Sequence, residues 1–177
     1  MRFPFFRRRS DPTADLEQTL KELQKSTFFA PTPWRIARQM LELAHVEPGD
    51  VVFDLGSGDG RIPIMAAQEF GCHSVGIELD EKLRRLSEEK AAEYGLRDRV
   101  SFRQEDFFKT DLRNASVVTL YLLTQVNGHL GPRMASQLAK GTRVVSLDYE
   151  VPGWRAEKTE KAVSEGDVEY TLYLYRR

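Results

Sequence analysis

Residues 51–60 read VVFDLGSGDG, an apolar run followed by three glycines at alternate positions. From Arg61 to Phe70 the apolar residues recur at helical spacing. A glycine-rich turn between a strand and a helix lets the backbone approach a ligand closely, because no Cβ stands in the way. The stretch therefore predicts a strand–turn–helix unit whose turn binds a small polar ligand.

The spacing of these glycines differs from that of dinucleotide-binding turns, which read Gly-x-Gly-x-x-Gly. Here Asp54 precedes a Gly-x-Gly-x-Gly pattern, Asp59 lies inside it, and Glu78 ends the next apolar run. Three carboxylates would repel an anionic pyrophosphate. Asp54 can accept a hydrogen bond from an ammonium group, and Glu78 can accept from two ribose hydroxyls. The acids therefore indicate a ligand with a ribose and a cationic amino-acid or sulfonium portion.

The rest of the chain alternates between apolar strand patterns and helical patterns. Strands are predicted at 50–55, 73–78, 99–104, 116–123 and 142–149, with helices at 60–70, 80–94 and 125–139. Alternation on either side of Glu165-Gly166-Asp167 predicts a closing hairpin. We therefore predict an α/β fold, Rossmann-like and doubly wound: a mostly parallel seven-stranded sheet with a C-terminal antiparallel hairpin and helices on both faces.

Two helices are predicted ahead of the glycine loop. Leu16, Leu20 and Leu23 recur at helical spacing and predict a short amphipathic helix over 12–25. Thr32 is a good N-cap and Pro33 fits the first position of a second helix, which ends before Pro48.

Composition describes a soluble globular protein of one domain. The chain has 177 residues, 41% of them hydrophobic, and a net charge of −1, so its overall charge favours neither nucleic acid nor membrane as a partner. The single cysteine, Cys72, excludes an internal disulfide, and its apolar surroundings favour an inert buried thiol. Three scattered histidines do not make a metal site, so we expect no metal. We expect the protein to be cytoplasmic.

Residues 1–26 differ from the rest and form the first of two predicted regions, ahead of a domain over 27–177. Their start combines Arg2 and Arg7–Arg9 with three phenylalanines and has no acid before Asp11. Such a segment suits a weak contact with an anionic membrane surface or an acidic partner. The alternative is a solvated, frayed terminus.

The acidic glycine loop, followed by Gly76-Ile77-Glu78-Leu79-Asp80, resembles motifs one and two of the class I (seven-β-strand) S-adenosylmethionine-dependent methyltransferases. Phe29–Pro33, Tyr121–Asn127 and Gly141–Ser146 are similar to segments of the small protein-lysine methyltransferases of archaea and their mitochondrial relatives. The resemblance covers about residues 27–177. It implies S-adenosyl-L-methionine as cofactor, and methyl transfer to lysine ε-amino groups of a protein substrate.

Two alternatives stay open. One is a class I methyltransferase that acts on a small molecule or RNA. The (Asp/Asn)-Pro-Pro-(Tyr/Phe) signature is absent after the fourth strand, which argues against adenine or glutamine as the acceptor. The other alternative is a protein that binds S-adenosylmethionine without catalysis.

The resemblance also implies roles for individual residues. Thr32 is similar to a cofactor-contacting threonine that reaches the methionine carboxylate. Asp106 is placed to accept from the adenine amino group, while Phe107 or Leu79 packs on the adenine ring. The implied cofactor-binding residues are Thr32, Asp54, Gly56, Ser57, Gly58, Asp59, Gly60, Glu78, Leu79, Asp106, Phe107 and Tyr121.

Methyl transfer to an amine is an in-line displacement, so the acceptor end of such a site must align a neutral amine and exclude water. Free lysine has a pKa of about 10.4, and burial favours its neutral form. Leu120, Tyr121 and Leu123 are expected to form a dry channel. Tyr121 and Asn127 are the candidate catalytic residues that position the amine, and Asp148 or Glu150 is the candidate proton acceptor through water. For each of these, a core aromatic, a helix cap or a surface acid is the plainer alternative.

Overall fold

The computed structural model describes residues 30–177, which contain a seven-stranded mixed sheet flanked by helices. The strands are β1 Val51–Leu55, β2 His73–Ile77, β3 Val100–Arg103, β4 Val117–Leu120, β5 Arg143–Leu147, β6 Lys158–Val163 and β7 Glu169–Arg176. The helices are α1 Trp34–Leu43, α2 Arg61–Phe70, α3 Glu81–Glu93 and α4 Thr124–Gln137. The N-terminal segment 1–26, its helix over 12–25 and Phe29 lie outside the described residues.

The order of the strands across the sheet is β3-β2-β1-β4-β5-β7-β6. The first five strands in this order run parallel, and β7 pairs antiparallel with both β5 and β6. The predicted fold class is therefore confirmed. The chain moves outward from β1 to β3 and then crosses to β4 on the other side of β1, which opens a crevice at the carboxyl ends of β1 and β4.

Both faces of the sheet are covered, as predicted. On one face, α1 and α2 pack on the central strands through a buried apolar cluster that includes Met40 and Met65. On the other face, α4 contributes Leu130 and Met134 to a second cluster. Since the central parallel strands are buried on both sides, they read as continuous apolar runs rather than alternating ones. No helix in residues 30–177 has the length and apolar character needed to cross a membrane.

The turn between β6 and β7 contacts the start of α1. The backbone N–H of Trp34 donates to Glu165 Oε1 at 3.0 Å, and Arg35 Nη1 donates to the carbonyl of Ser164 at 3.4 Å. These bonds tie the end of the sheet to the first turn of α1, directly after residues 30–33. Residues 30–32 form one wall of the candidate site.

Three predicted boundaries are wrong. Thr32 is not the N-cap of α1: Pro33 occupies that position with extended backbone, and no side chain caps the helix. β4 ends at Leu120 rather than 123, because the next residues lead directly into α4. β5 ends at Leu147 rather than 149, because Asp148 adopts a φ of 58° and leaves the strand.

Candidate active site

A cavity of about 720 Å³ opens at the carboxyl ends of the strands around β1. It lies where the strand order reverses, the usual ligand position in an open α/β sheet, and its volume is in the range of cofactor pockets. Most of the residues predicted to bind the cofactor line it. They are Thr32, Asp54, Gly56, Ser57, Gly58, Asp59, Glu78, Leu79, Phe107 and Tyr121.

The glycine loop is held against the end of β2. The backbone N–H groups of Gly56 and Ser57 both donate to the carbonyl of Ile77, at 2.9 and 3.0 Å. The N–H of Gly58 donates to Glu78 Oε2 at 2.9 Å, while Asp80 N donates to Glu78 Oε1 at 2.8 Å. The Glu78 carboxylate is thereby fixed at the cavity wall, where its remaining lone pairs can accept from hydroxyl groups of a ligand.

Gly60 does not line the cavity; it is a packing position at the end of the glycine loop. It is the N-cap of α2 with a φ of 78°, a conformation that favours glycine. A Cβ at this position would lie 2.7 Å from both the Phe102 ring and Ser87 Cβ. Its role in the structure is close packing of the loop on β3 and α3.

Asp54 is a buried carboxylate at the end of β1, and its Oδ1 accepts from the Thr119 hydroxyl at 2.7 Å. Burial raises the pKa of Asp54 to about 7, although the Thr119 hydrogen bond opposes the shift; the charges of Glu78 and Asp59 add to it. A cationic ligand group at this point would favour the ionised carboxylate. The site is therefore matched to a positive charge.

Asp59 faces a pair of cations from the protein itself. Arg61 holds its carboxylate with two bonds, Nε to Oδ1 at 2.9 Å and Nη2 to Oδ2 at 2.8 Å, and Lys90 Nζ lies 3.1 Å from Oδ2. Burial alone would raise the pKa of Asp59, but the hydrogen bonds from Arg61 and Lys90 outweigh it, so the pKa is lowered. Asp59 therefore stays ionised and anchors Arg61.

Arg61 is a residue of the site that sequence reasoning missed. Its Nη1 donates to the carbonyl of Thr32 at 2.6 Å, and its guanidinium lies 5.0 Å from the centre of the Trp34 ring. Arg61 thus joins the glycine loop to the wall formed by residues 30–32. Its place directly after the loop was the available signal, but an arginine at a helix start is equally typical of a solvated surface.

Ser57 lines the cavity, but its Oγ lies against Gly76 of β2, 2.6 Å from where a Cβ on Gly76 would be. Ser57 Oγ is buried and has no hydrogen-bond partner among the residues that the structure describes. Leu79, Leu83 and Phe107 provide apolar surface in the same cavity. Two carboxylates and an apolar end fit a ligand with an amino-acid portion, a ribose and an aromatic base.

Asp106 does not line the cavity, unlike its neighbour Phe107. Its Oδ1 accepts from the backbone N–H of Phe108 at 2.9 Å, which fixes the turn after β3. Its predicted contact with adenine therefore stays a prediction.

The end of the cavity that is predicted to receive the acceptor is aromatic. The rings of Tyr121 and Tyr149 lie with their centres 6.2 Å apart and their planes 29° apart. Burial raises the pKa of Tyr121 to about 12, and the charge of Asp148 adds to the shift, so the phenol is neutral at physiological pH. Leu123 lines the cavity next to them, whereas Leu120 lies in the core behind it.

Asn127 is completely buried and does not line the cavity. Its Nδ2 faces the carbonyls of Tyr149, at 3.0 Å, and Glu150, at 3.3 Å. Of the two candidate proton acceptors, Asp148 accepts from Thr171 N at 2.8 Å and Glu150 is exposed. The structure thus brings Tyr121 into the cavity and leaves Asn127 behind its wall. Within residues 30–177, no cluster of His, Cys, Asp and Glu side chains is suited to a metal ion.

Residues 54–158 match the family model of the ANTKMT methyltransferase domain. The chain is 41% identical to a protein-lysine N-methyltransferase of Saccharolobus islandicus, over 83% of this chain and 91% of that protein. It is 34% identical to the adenine nucleotide translocase lysine N-methyltransferase of Mus musculus, over 68% of this chain but only 52% of that protein. Among solved structures, an RNA methyltransferase of Salinibacter ruber in complex with S-adenosyl-L-homocysteine shares 45% identity, with a TM-score of 0.77 and coverage of 83% of this chain and 93% of that chain.

Proposed function

Because the chain belongs to the ANTKMT methyltransferase family, we propose that it transfers a methyl group from S-adenosylmethionine to the ε-amino group of lysine in a protein. The observation that carries the choice of acceptor is the chemistry of the cavity's acceptor end. Two phenol rings and the nearby charge of Asp148 suit an amine, and that charge would repel a phosphate. The archaeal relative, matched over 91% of its length, is named for the same reaction.

The residues of the cavity fit the cofactor. When bound, S-adenosylmethionine supplies an electrophilic methyl group on a sulfonium. The Glu78 carboxylate is fixed by Gly58 and Asp80 where it can accept from ribose hydroxyls. Asp54 provides the negative charge for the amino group. Leu79 and Phe107 provide the apolar surface that the adenine ring requires.

The acceptor amine must be neutral to attack, and near pH 8 the neutral form of lysine costs about 3 kcal/mol relative to the ammonium. Leu122, Leu123 and Tyr149 exclude water from the acceptor end, which lowers this cost because a dry site disfavours the charged form. Tyr121 stays a neutral phenol, since its pKa is raised to about 12. The Tyr121 oxygen can therefore accept a hydrogen bond from an N–H of the amine and so orient the nitrogen lone pair toward the methyl group. Tyr121 does not act as the base.

A second candidate function is methylation of RNA, because the Salinibacter ruber protein, 45% identical to this chain, is named an RNA methyltransferase. The lining of the cavity gives this function less support. Among the described residues that line the cavity, Arg61 is the one cation, and it is already bound to Asp59 and to the carbonyl of Thr32. A phosphate at this opening would meet carboxylates and phenols.

One labelling experiment separates the two functions. The protein is incubated with methyl-labelled S-adenosylmethionine and either a lysine-rich protein or total RNA, with the same lysine-rich protein after acetylation of its lysines as control. We expect label on lysine ε-nitrogen, mapped by mass spectrometry, and none on the acetylated protein. Label in RNA alone would refute the proposed acceptor, and binding without label anywhere would refute catalysis.

Removing the Arg61 side chain is expected to weaken cofactor binding. Arg61→Ala breaks the link between the glycine loop and Thr32, whose segment walls the cavity. The lost charge-assisted hydrogen bonds correspond to about a tenfold or larger rise in Kd for S-adenosylmethionine. Arg38→Ala is the matched control, because the Arg38–Glu69 pair is on the surface and contributes little. Calorimetric titration that gives equal Kd values for the two variants would contradict the role of Arg61.

A further inference from the structure

The turn after β5 holds an unusual backbone conformation. Asp148 has a φ of 58°, which is uncommon for a residue with a side chain and is retained only where surrounding contacts enforce it. Asp148 N donates to the carbonyl of Thr171 at 2.7 Å, Thr171 N donates back to Asp148 Oδ1 at 2.8 Å, and Tyr149 N donates to the carbonyl of Leu147 at 2.7 Å. The path of the chain is therefore fixed on both sides of Tyr149. Strain of this kind is concentrated at functional sites.

Asn127 holds the same turn from the opposite side. Its buried Nδ2 donates to the carbonyls of Tyr149 and Glu150, and the hydroxyl of Ser146, 3.2 Å from Nδ2, also donates to the Tyr149 carbonyl. Asn127 Oδ1 has no partner among residues 30–177. The two bonds from its nitrogen are therefore what links α4 to this turn. Its nitrogen is not available to an acceptor amine.

Both sets of contacts fix the backbone that carries the Tyr149 ring. The ring lines the cavity next to Tyr121, and the two stacked phenols form a continuous aromatic wall at the acceptor end. Aromatic faces attract alkylammonium groups, and a methylated lysine keeps its positive charge on reprotonation. The wall can therefore hold the lysine stem on entry and the product before release.

From this geometry we propose that Tyr149 is a specificity-determining residue for the acceptor lysine, and that Asn127 is the positioning residue that keeps it in the wall. The inference rests on the proposed protein-lysine methylation and adds to it the residues that hold the acceptor. Asn127 acts through the backbone of the turn, not by contact with the amine as its position in the sequence had predicted. Tyr149 was missed in the sequence because the pattern placed it at the end of a strand.

The test compares KM for the lysine-rich protein with Kd for S-adenosylmethionine. Tyr149→Ala is expected to raise KM about tenfold through loss of the aromatic contact. Tyr149→Phe keeps the ring, so its KM should lie within about twofold of that of the unchanged protein. Both variants should bind the cofactor normally. Tyr94→Ala is the control, because Tyr94 is an exposed residue at the end of α3.

Asn127→Asp replaces the donor nitrogen with an acceptor and should raise KM in the same way as Tyr149→Ala. The double variant should then be no worse than either single variant, because both changes remove the same contact. If Asn127→Asp does not fold, Asn127→Ser, which keeps a smaller donor, replaces it in the comparison of single and double variants. An unchanged KM in Tyr149→Ala, or a rise in KM matched by an equal loss of cofactor affinity, would overturn the role of Tyr149; additive effects would overturn that of Asn127. If the unchanged protein labels only RNA, it is the proposed function itself that fails.

Discussion

Asp54→Asn is expected to weaken S-adenosylmethionine binding about ten- to a hundredfold and, at pH 8, to stabilise the cofactor-free protein. The carboxylate is buried at the end of β1 and accepts one hydrogen bond from Thr119. Asparagine can keep that bond through its own oxygen but removes the charge that faces the ligand's ammonium group. A charge-assisted hydrogen bond contributes about 1.5–3 kcal/mol, which sets the expected loss of affinity.

The effect on stability follows from the pKa of Asp54, which burial raises to about 7 in the folded protein. In the unfolded chain the pKa is about 4, so the folded state binds the extra proton between about pH 4 and pH 7. The favourable contribution of the protonated form is complete below pH 4 and is lost as the pH rises through 7. Above pH 7 the buried ionised carboxylate destabilises the fold by an amount on the order of a few kcal/mol. Asparagine has no such dependence.

Thermal unfolding of the cofactor-free protein at pH 5.5 and pH 8 measures this difference. The gain in unfolding temperature of Asp54→Asn over the unchanged protein should be larger at pH 8 than at pH 5.5. The control Asp111→Asn changes an exposed carboxylate paired with Arg113, and it should show no such difference between the two pH values. Titration with S-adenosylmethionine should give a Kd that falls as the pH rises to about 7 in the unchanged protein. An affinity of the variant equal to that of the unchanged protein would place the ligand's ammonium group elsewhere.

Gly60→Ala is expected to destabilise the protein by about 2–5 kcal/mol, from left-handed backbone strain and from overpacking together. Gly60 has a φ of 78°, and an added Cβ would lie 2.7 Å from the Phe102 ring and from Ser87 Cβ. Both neighbours belong to packed elements and cannot move aside cheaply. Relief of the clash would displace the glycine loop and with it the cofactor site.

Urea unfolding is the measurement for Gly60→Ala, and Gly49→Ala is its control. Gly49 has no atom within 4 Å of an added Cβ and no positive φ. Its replacement by alanine should therefore shift the urea midpoint by only a small fraction of the shift caused by Gly60→Ala. Equal midpoints for the two variants would show that the loop can relax around the new methyl group. In that case its packing on α3 would not be what fixes the site.

The sequence was sufficient to predict the sheet and the position of the glycine loop at a cavity, because both depend on local patterns. The alternation of apolar segments specifies parallel strands, and the carboxyl ends of such strands meet at one edge. Asp54 and Glu78 are each the residue at or next to a strand end, so their common location follows from the fold class. The lysine acceptor, in contrast, was an implication of family resemblance.

The remaining features of the site depend on contacts between distant segments. The Arg61 bond to Thr32 joins residues on either side of β1, and the Asn127 bonds join α4 to the turn after β5. No periodicity in either segment encodes these pairs. Asn127 was assigned to the acceptor because it follows β4, but one helical turn into α4 it faces the core and not the cavity. Tertiary packing overrides what local position suggests in such cases.

The bond between Trp34 and Glu165 has a consequence for synthesis of the protein on the ribosome. It spans 131 residues, and it anchors the first turn of α1, directly after the residues that wall the cavity. This part of the wall's support is therefore present only after the last two strands have emerged and paired, whereas the Arg61 bond to Thr32 joins residues that emerge early. Contacts of such long sequence separation form late, since the chain must first close a long loop. Full cofactor affinity is thus expected to arise at the end of folding, so that a nascent chain engages S-adenosylmethionine more weakly before its sheet is complete.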